Sequence, residues 1–378
     1  MKILAIRLAR LGDVVLLLPA LSSLKRAFPD ARLTLLTGHP CTPIAELCPA
    51  VDETFAVDRV AMRDGSRSAA LRDMTRLVRE VRRRRFDLVI DFHSFRETNL
   101  LTWLSGAPVR IGMKRYKAPY LNFCFNRPPV IEDKSLHVAA MFEKAVETII
   151  PLAEAVNKLG SNPSPFGRGR RDSLTEAGAP GEARASRPLP EGEGDFSRAT
   201  PLLQGGKWLC IPDELKHWAC QIGHNPSRVA FYIDAPVTER IWPPERFAAV
   251  ADFAIERWAA LPLVIASQQR PDLVERVKQA SRNPNELRVF SDLTVPQVAA
   301  LIASARVFIS NDTGPMHIGP ALGVRTLGLF SVGYPEHFRP IGPKDTFLKG
   351  NPIEKIETAD VIAIAKEMWV TADPSLRC

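Results

Sequence analysis

Lys2-Ile3-Leu4-Ala5-Ile6-Arg7-Leu8-Ala9-Arg10-Leu11-Gly12-Asp13 decides the fold. Residues 2–7 are an apolar run of strand length, residues 8–13 read as a loop, and residues 14–28 carry apolar side chains at helical spacing until Pro29 stops them. This is one βα unit. Its loop holds a single glycine, so it is not the G-x-G-x-x-G turn of dinucleotide-binding proteins. Asp13 stands at the carboxyl end of the strand, where open α/β sheets hold their ligands; it is placed to cap the helix, to act as a general base, or both.

The same alternation continues along the chain. Strands are expected near 2–7, 32–37, 86–91 and 108–111, with helices over 14–28, 68–84 and 134–158. Beyond residue 206, strands are expected at 229–233, 263–266, 287–290, 307–309 and 326–330, with helices between them. Such alternation predicts the α/β class with two parallel, doubly wound sheets. A chain of 378 residues suits two such units, over 1–159 and 207–378. Residues 160–206 contain 9 Gly and 6 Pro and no Val, Ile, Met, Tyr, Trp or Cys, the composition of a disordered insertion or linker.

A second turn carries chemistry. Asn311-Asp312-Thr313-Gly314-Pro315-Met316-His317 follows the strand-like run 305–309 and opens a short helix. Thr313 suits the N-cap, Gly314 lets a ligand approach the backbone, and Pro315 fits the first helical turn, where its missing N–H costs nothing. The free N–H groups and the positive dipole end then face an anion, with Asp312 and His317 beside it. His317 is a polar ring badly placed for a core.

Charge is uneven. Residues 1–159 hold 25 Lys+Arg and 17 Asp+Glu, 160–206 hold 6 and 6, and 207–378 hold 19 and 19, so the whole net charge of +8 lies in the first unit. An anionic partner is expected there. Nucleic acid is not: no aromatic platform or recognised motif accompanies the basic residues. Arg82-Arg83-Arg84-Arg85 reads as a solvated helix end complementing the dipole. The apolar run 14–18 is too short to span a bilayer, and charged residues interrupt the N-terminus where a signal peptide needs an apolar stretch. No transmembrane segment and a cytoplasmic location are expected. The six cysteines show no metal-ligand spacing and are expected as reduced thiols.

The two turns and the motifs between them resemble glycosyltransferase family 9, the heptosyltransferases that build the inner core of bacterial lipopolysaccharide. The matching residues are Arg7, Leu11-Gly12-Asp13-Val14-Val15, Pro19, Leu21, Leu24 and Pro29, then Phe86-Asp87-Leu88-Val89-Ile90-Asp91, Arg110-Ile111-Gly112, Trp242-Pro243-Pro244-Glu245-Arg246-Phe247, and Asp312-Thr313-Gly314 with His317. They run in the family's order over about 1–160 and 207–350.

The resemblance implies a GT-B arrangement, two Rossmann-like units facing a cleft, with the C-terminal helix near 359–370 able to pack back on the N-terminal unit. It implies an inverting transfer of heptose from ADP-heptose to a lipopolysaccharide inner-core acceptor, an anionic precursor at the inner membrane face that a peripheral enzyme could meet. In that reading Asp13 is the catalytic base, and Arg7, Arg10 and Gly12 face the acceptor. Arg240, where the family usually carries a lysine, would bind donor phosphate, Thr313, Gly314 and His317 would contact the donor's sugar or pyrophosphate, and Asp312 would hold donor hydroxyls. No cofactor beyond the donor and no essential metal are implied. Trp242 reads as core, and Glu336 to Pro340 as a surface loop in preference to a lining of the nucleotide. The chain departs from the family at Ala235-Pro236, where hydroxyl donors are usual, and at Ser267-Gln268-Gln269, where a glycine-rich turn is usual. Two alternatives stay open: a nucleotide-sugar epimerase of the same fold, and a non-catalytic glycosyltransferase-like binding protein.

Overall fold

The computed structural model describes residues 1–58, 67–116, 118–147, 149–151, 207–223, 225 and 227–372. The insertion expected over 160–206 lies outside the described residues. Two six-stranded sheets organise the rest. The first contains β1 (Lys2–Arg7), β2 (Arg32–Gly38), β3 (Glu53–Val57), β4 (Leu88–Asp91), β5 (Val109–Lys114) and β6 (Val130–Ile131), in the order β3-β2-β1-β4-β5-β6. The second contains β7 (Arg228–Tyr232), β8 (Leu261–Ile265), β9 (Arg288–Phe290), β10 (Val307–Asn311), β11 (Arg325–Phe330) and β12 (Thr346–Lys349), in the order β12-β11-β10-β7-β8-β9. Every pairing in both sheets is parallel. Both are doubly wound, and each reverses its strand order once, at β1/β4 and at β7/β10.

The central strands are buried on both faces, which is why they read as continuous apolar runs rather than alternating ones. Residues 3–6 of β1 and 307–311 of β10 are all buried. The strands that the periodicity misses are β3, β6 and β12. All three lie toward the sheet edges, and the described side chains of β3 and β12 are mostly half-exposed, so their sequences lack the apolar run.

The first helix begins earlier than its periodicity suggests. A short helix spans Leu11–Val15 and a second runs Leu18–Ala27 with Pro19 in its first turn. Arg10, not Asp13, occupies the N-cap, so Asp13 lies inside the first helical turn and does not cap it.

The two units are packed together. One buried apolar cluster includes Leu16, Leu17, Ile44 and Leu47 from the first and Val298, Leu301, Ala321 and Leu322 from the second. The Trp208 and Leu209 N–H groups donate to the Ala321 carbonyl, and the Cys210 N–H to the Leu47 carbonyl, so the lead-in to the second unit bridges both. The C-terminal helix, Thr358–Thr371, corrects an expectation. It packs on the second unit, not back on the first: Val361, Ala365 and Met368 enter that unit's core, Trp369 stacks on Trp258 with centroids 4.6 Å apart, and Arg306 donates to the Trp369 carbonyl. Cys41, Cys48, Cys124 and Cys210 are free thiols, whereas Cys220 is disulfide-bonded, which corrects the expectation of six reduced thiols. Among the described residues, no helix is long and apolar enough to cross a membrane.

Candidate active site

A ligand in an open α/β sheet binds beyond the carboxyl ends of the strands where the order reverses. Here two such places face each other. The ends of β1 and β4 supply Arg7, Asp13 and Phe92; the ends of β7 and β10 supply Asp234, Pro236, Asn311, Asp312 and Thr313. Between them lies a cavity of about 260 Å³. Arg10, Gly12, Asp13 and Leu16 form one wall, and Pro236, Arg240, Asp312, Thr313, Gly314, His317, Gly333, Tyr334 and Phe338 form the other.

All the site residues expected from the sequence line this cavity except Arg7. That guanidinium is only 2 % exposed and lies behind Asp13, donating from Nη2 to Asp13 Oδ1 at 2.5 Å and from Nη1 to the Phe92 carbonyl at 2.8 Å, with its plane over the Phe142 ring. Arg7 therefore holds Asp13 rather than facing an acceptor. Asp13 keeps 30 % of its side chain exposed. It is a carboxylate fixed from behind and open in front.

Glycine makes the closeness of the walls possible. A Cβ on Gly12 would fall 2.8 Å from His317 Cδ2 and 3.1 Å from Gly314 Cα, and a Cβ on Gly314 would fall 3.0 Å from the Gly12 nitrogen. The Leu11–Val15 helix thus meets the second turn backbone to backbone.

The second turn has the expected form. Thr313 takes the N-cap position with an extended backbone, Gly314–His317 make a 3-10 turn with Pro315 inside it, and the α-helix Ile318–Leu322 follows. The Thr313 side chain makes no capping bond, which leaves its hydroxyl for a ligand. Buried Asn311 anchors the turn, donating from Nδ2 to the Ile233 carbonyl and accepting the Trp242 N–H, so one side chain ties β10 to the loop after β7. Trp242 is fully buried with Nε1 donating to the Ile356 carbonyl, a core residue as its spacing suggests.

Arg240 Nη1 lies 3.1 Å from Asp312 Oδ2. Burial raises the Asp312 pKa and Arg240 opposes that rise. Burial lowers the His317 pKa to about 4, so its ring is neutral at pH 7. Arg240 Nε and His317 Nδ1 are both buried without a hydrogen-bond partner. Two orphaned polar atoms on residues lining one cavity are what a polar ligand would satisfy.

Sequence reasoning missed several lining residues. Gly333 leaves room for the Asp312 carboxylate: a Cβ there would sit 2.2 Å from Oδ2. Tyr334, 67 % exposed, and Phe338 bring aromatic surface, Phe338 from the segment 336–340 that reads as a surface loop or a nucleotide lining. That segment also straps the units together, since His137 Nε2 meets the Arg339 carbonyl and His337 Nδ1 the Leu136 carbonyl, each at 3.0 Å. Its string of aromatic and His side chains between two prolines was the available signal. At the departing turns, Ser267 donates to Asp234 Oδ2, and Asp234 Oδ1 accepts the Ala235 N–H.

A family model described as glycosyltransferase family 9 (heptosyltransferase) matches residues 211–361. Over that stretch the chain is similar to glycosyltransferase family 9. It is 23 % identical over 326 residues to lipopolysaccharide heptosyltransferase 3 of Escherichia coli, covering 85 % of this chain and 81 % of that protein. Its fold is similar to that of E. coli ADP-heptose LPS heptosyltransferase II, with a TM-score of 0.72 at 17 % identity over 98 % of this chain and 99 % of that one. E. coli heptosyltransferase WaaC with ADP gives a TM-score of 0.70 at 16 % identity, covering 97 % and 100 %. The chain therefore has a GT-B fold of two Rossmann-like units, and the match to the family model spans Arg240 and the whole second turn.

Proposed function

We propose that this glycosyltransferase moves heptose from ADP-heptose to an anionic lipopolysaccharide inner-core acceptor, with inversion at the anomeric carbon. The observation that carries the reading is that Asp13 opens into the same cavity as Arg240 and the Asp312–His317 turn. An acceptor hydroxyl is a weak nucleophile, and a carboxylate in hydrogen-bond reach takes its proton as the new bond forms. Asp13 is the carboxylate on the first wall. As the acceptor oxygen bonds to the anomeric carbon, that carbon's bond to the phosphate oxygen breaks on the opposite side and ADP leaves. The growing negative charge meets Arg240 and the N–H groups at the start of the Gly314 turn. His317, neutral at pH 7, donates or accepts one hydrogen bond without competing for the Asp13 proton. Asp312, neutralised in part by Arg240, holds hydroxyls of the transferred sugar.

The donor's nucleotide and sugar rest on likeness to relatives named for ADP-heptose and for lipopolysaccharide, and the first unit's positive excess agrees with a phosphorylated, acidic acceptor at the inner membrane face. Incubation with ADP-heptose and truncated core acceptors, read by mass spectrometry, tests the reading. A product heavier by one heptosyl unit is expected. Conversion of the nucleotide sugar without any acceptor, as an epimerase would perform, would contradict it, as would binding of both substrates without transfer.

A further inference from the structure

Two helices lie side by side on one face of the first sheet, Arg67–Arg84 and Arg96–Leu104. Leu77 and Val81 of the first and Leu101 of the second share a buried cluster with Leu4, Ile6 and Val89 from β1 and β4. Their outward faces differ in chemistry. On the first, Arg72, Arg76, Arg79 and Arg83 recur at intervals of four, three and four residues, directly opposite the buried positions, and all four are exposed. Arg83 is paired with Glu80 and Arg76 lies 3.7 Å from Asp73, but Arg72 and Arg79 have no acidic partner among the described residues. On the second, Arg96, Leu100 and Trp103 form the outward row, with Leu100 38 % and Trp103 47 % exposed. Phe123, 61 % exposed, meets Trp103 edge-on with centroids 5.7 Å apart.

We propose that this face docks on an anionic lipid bilayer, with Leu100, Trp103 and Phe123 entering the headgroup–acyl boundary and the arginine row meeting lipid phosphates. The inference deepens the proposed function, resting on its lipid-borne acceptor and giving the bilayer a side of the molecule. A free anion would engage the arginines but leave the Trp103–Phe123 pair in water. A bilayer uses both, because indole rings favour the headgroup region and arginines near an anionic leaflet gain from its surface potential. The second helix begins directly after β4, at the carboxyl edge that also carries Arg7 and Asp13. Docking by this face therefore keeps the cavity beside the membrane, within reach of an acceptor standing in it.

Co-sedimentation of the full chain with vesicles tests the proposal, comparing phosphatidylcholine alone with phosphatidylcholine mixed with phosphatidylglycerol. Binding is expected only with phosphatidylglycerol and is expected to weaken with salt. Replacing Arg72, Arg76 and Arg79 together by Gln should lower partitioning by about tenfold or more, whereas replacing all three by Lys should preserve it, since charge rather than fork geometry is required. Leu100→Ser with Trp103→Ser should also release the protein, and melting curves should show all variants folded. Transfer to a delipidated, soluble acceptor should be unchanged in every variant. Equal vesicle binding by all variants, binding indifferent to phosphatidylglycerol, or a Trp103-dependent self-association in place of vesicle binding would each overturn the proposal. Transfer to the soluble acceptor without vesicle binding would overturn this inference and leave the proposed function standing. Vesicle binding that responds to the variants as expected, without transfer, would do the reverse.

Discussion

At the scale of single residues, the carboxylate that the sequence offers as a helix cap, a general base or both is held from behind by Arg7. Asp13 is too far into its helix to cap it, and Arg7, a residue expected to touch the acceptor, is the group that holds it. Sequence shows that both residues stand near the end of β1; it does not show that the helix begins at Leu11, which turns Asp13 back toward Arg7. Arg7→Lys is expected to lower the transfer rate by about tenfold to a hundredfold with donor affinity unchanged, because one ammonium cannot serve Asp13 and the Phe92 carbonyl in the same geometry. Steady-state kinetics with both substrates varied would check it; an altered acceptor KM at full rate would return Arg7 to the acceptor. His317 gives a second expectation. Its ordinary pKa of 6.5 falls to about 4 in the folded chain, so the unfolded chain takes up the proton first as the pH drops. The stability tied to its neutral ring is complete above 6.5 and is lost as pH falls toward 4. Between pH 7 and 5 the unfolding free energy of the native chain relative to His317→Asn should therefore fall by roughly 2 kcal/mol. Denaturant titrations at the two pH values measure this difference; a constant difference would mean that burial does not hold the ring neutral.

At the scale of elements, what was legible followed burial. Strands β1, β4, β7, β8, β10 and β11, sealed between helices, read clearly because nearly every side chain is apolar. Strands β3 and β12 did not, because half-exposed edge positions admit Glu53, Thr54 and Thr346, and β6 is only two residues long. The second turn was legible for a different reason: Thr313, Gly314 and Pro315 answer local backbone demands that act within a few residues. What no local rule carries is that this turn touches the Leu11–Val15 helix, about three hundred residues away in sequence. The two glycines at that contact give the test. Gly314→Ala places a methyl against the Gly12 backbone and Leu11, where neither can move aside cheaply. A loss of about 1–3 kcal/mol in stability is expected from the overpacking, together with a larger loss of transfer than of ADP binding, because the walls are propped apart while the donor side stays whole. Calorimetry for ADP set beside turnover would separate the two; equal losses would indicate a merely damaged donor turn.

At the scale of the whole molecule, charge and chemistry divide between the two units. The first carries the entire positive excess, the exposed arginine row and Asp13; the second carries Arg240 and the helix start that suits a leaving diphosphate. The count of units was readable from length and alternation, and the family from motifs spread over both. Their contact surface was not, because Leu16, Leu47, Leu301 and Leu322 look like any other core leucines until the fold sets them together. The division predicts that Arg240→Ala weakens ADP binding by roughly 1.5–3 kcal/mol, the loss of a charge-assisted hydrogen bond, without altering acceptor affinity. Calorimetry with ADP and with acceptor checks both halves of that statement. The central claim is that Asp13 takes the acceptor proton while the opposite wall holds the donor. Its most direct test is the transfer rate of Asp13→Asn measured beside its affinity for ADP. The account predicts near-native ADP affinity with transfer reduced by about a hundredfold or more, since an amide keeps the shape of the carboxylate but accepts no proton at pH 7. Near-native transfer by Asp13→Asn would contradict it.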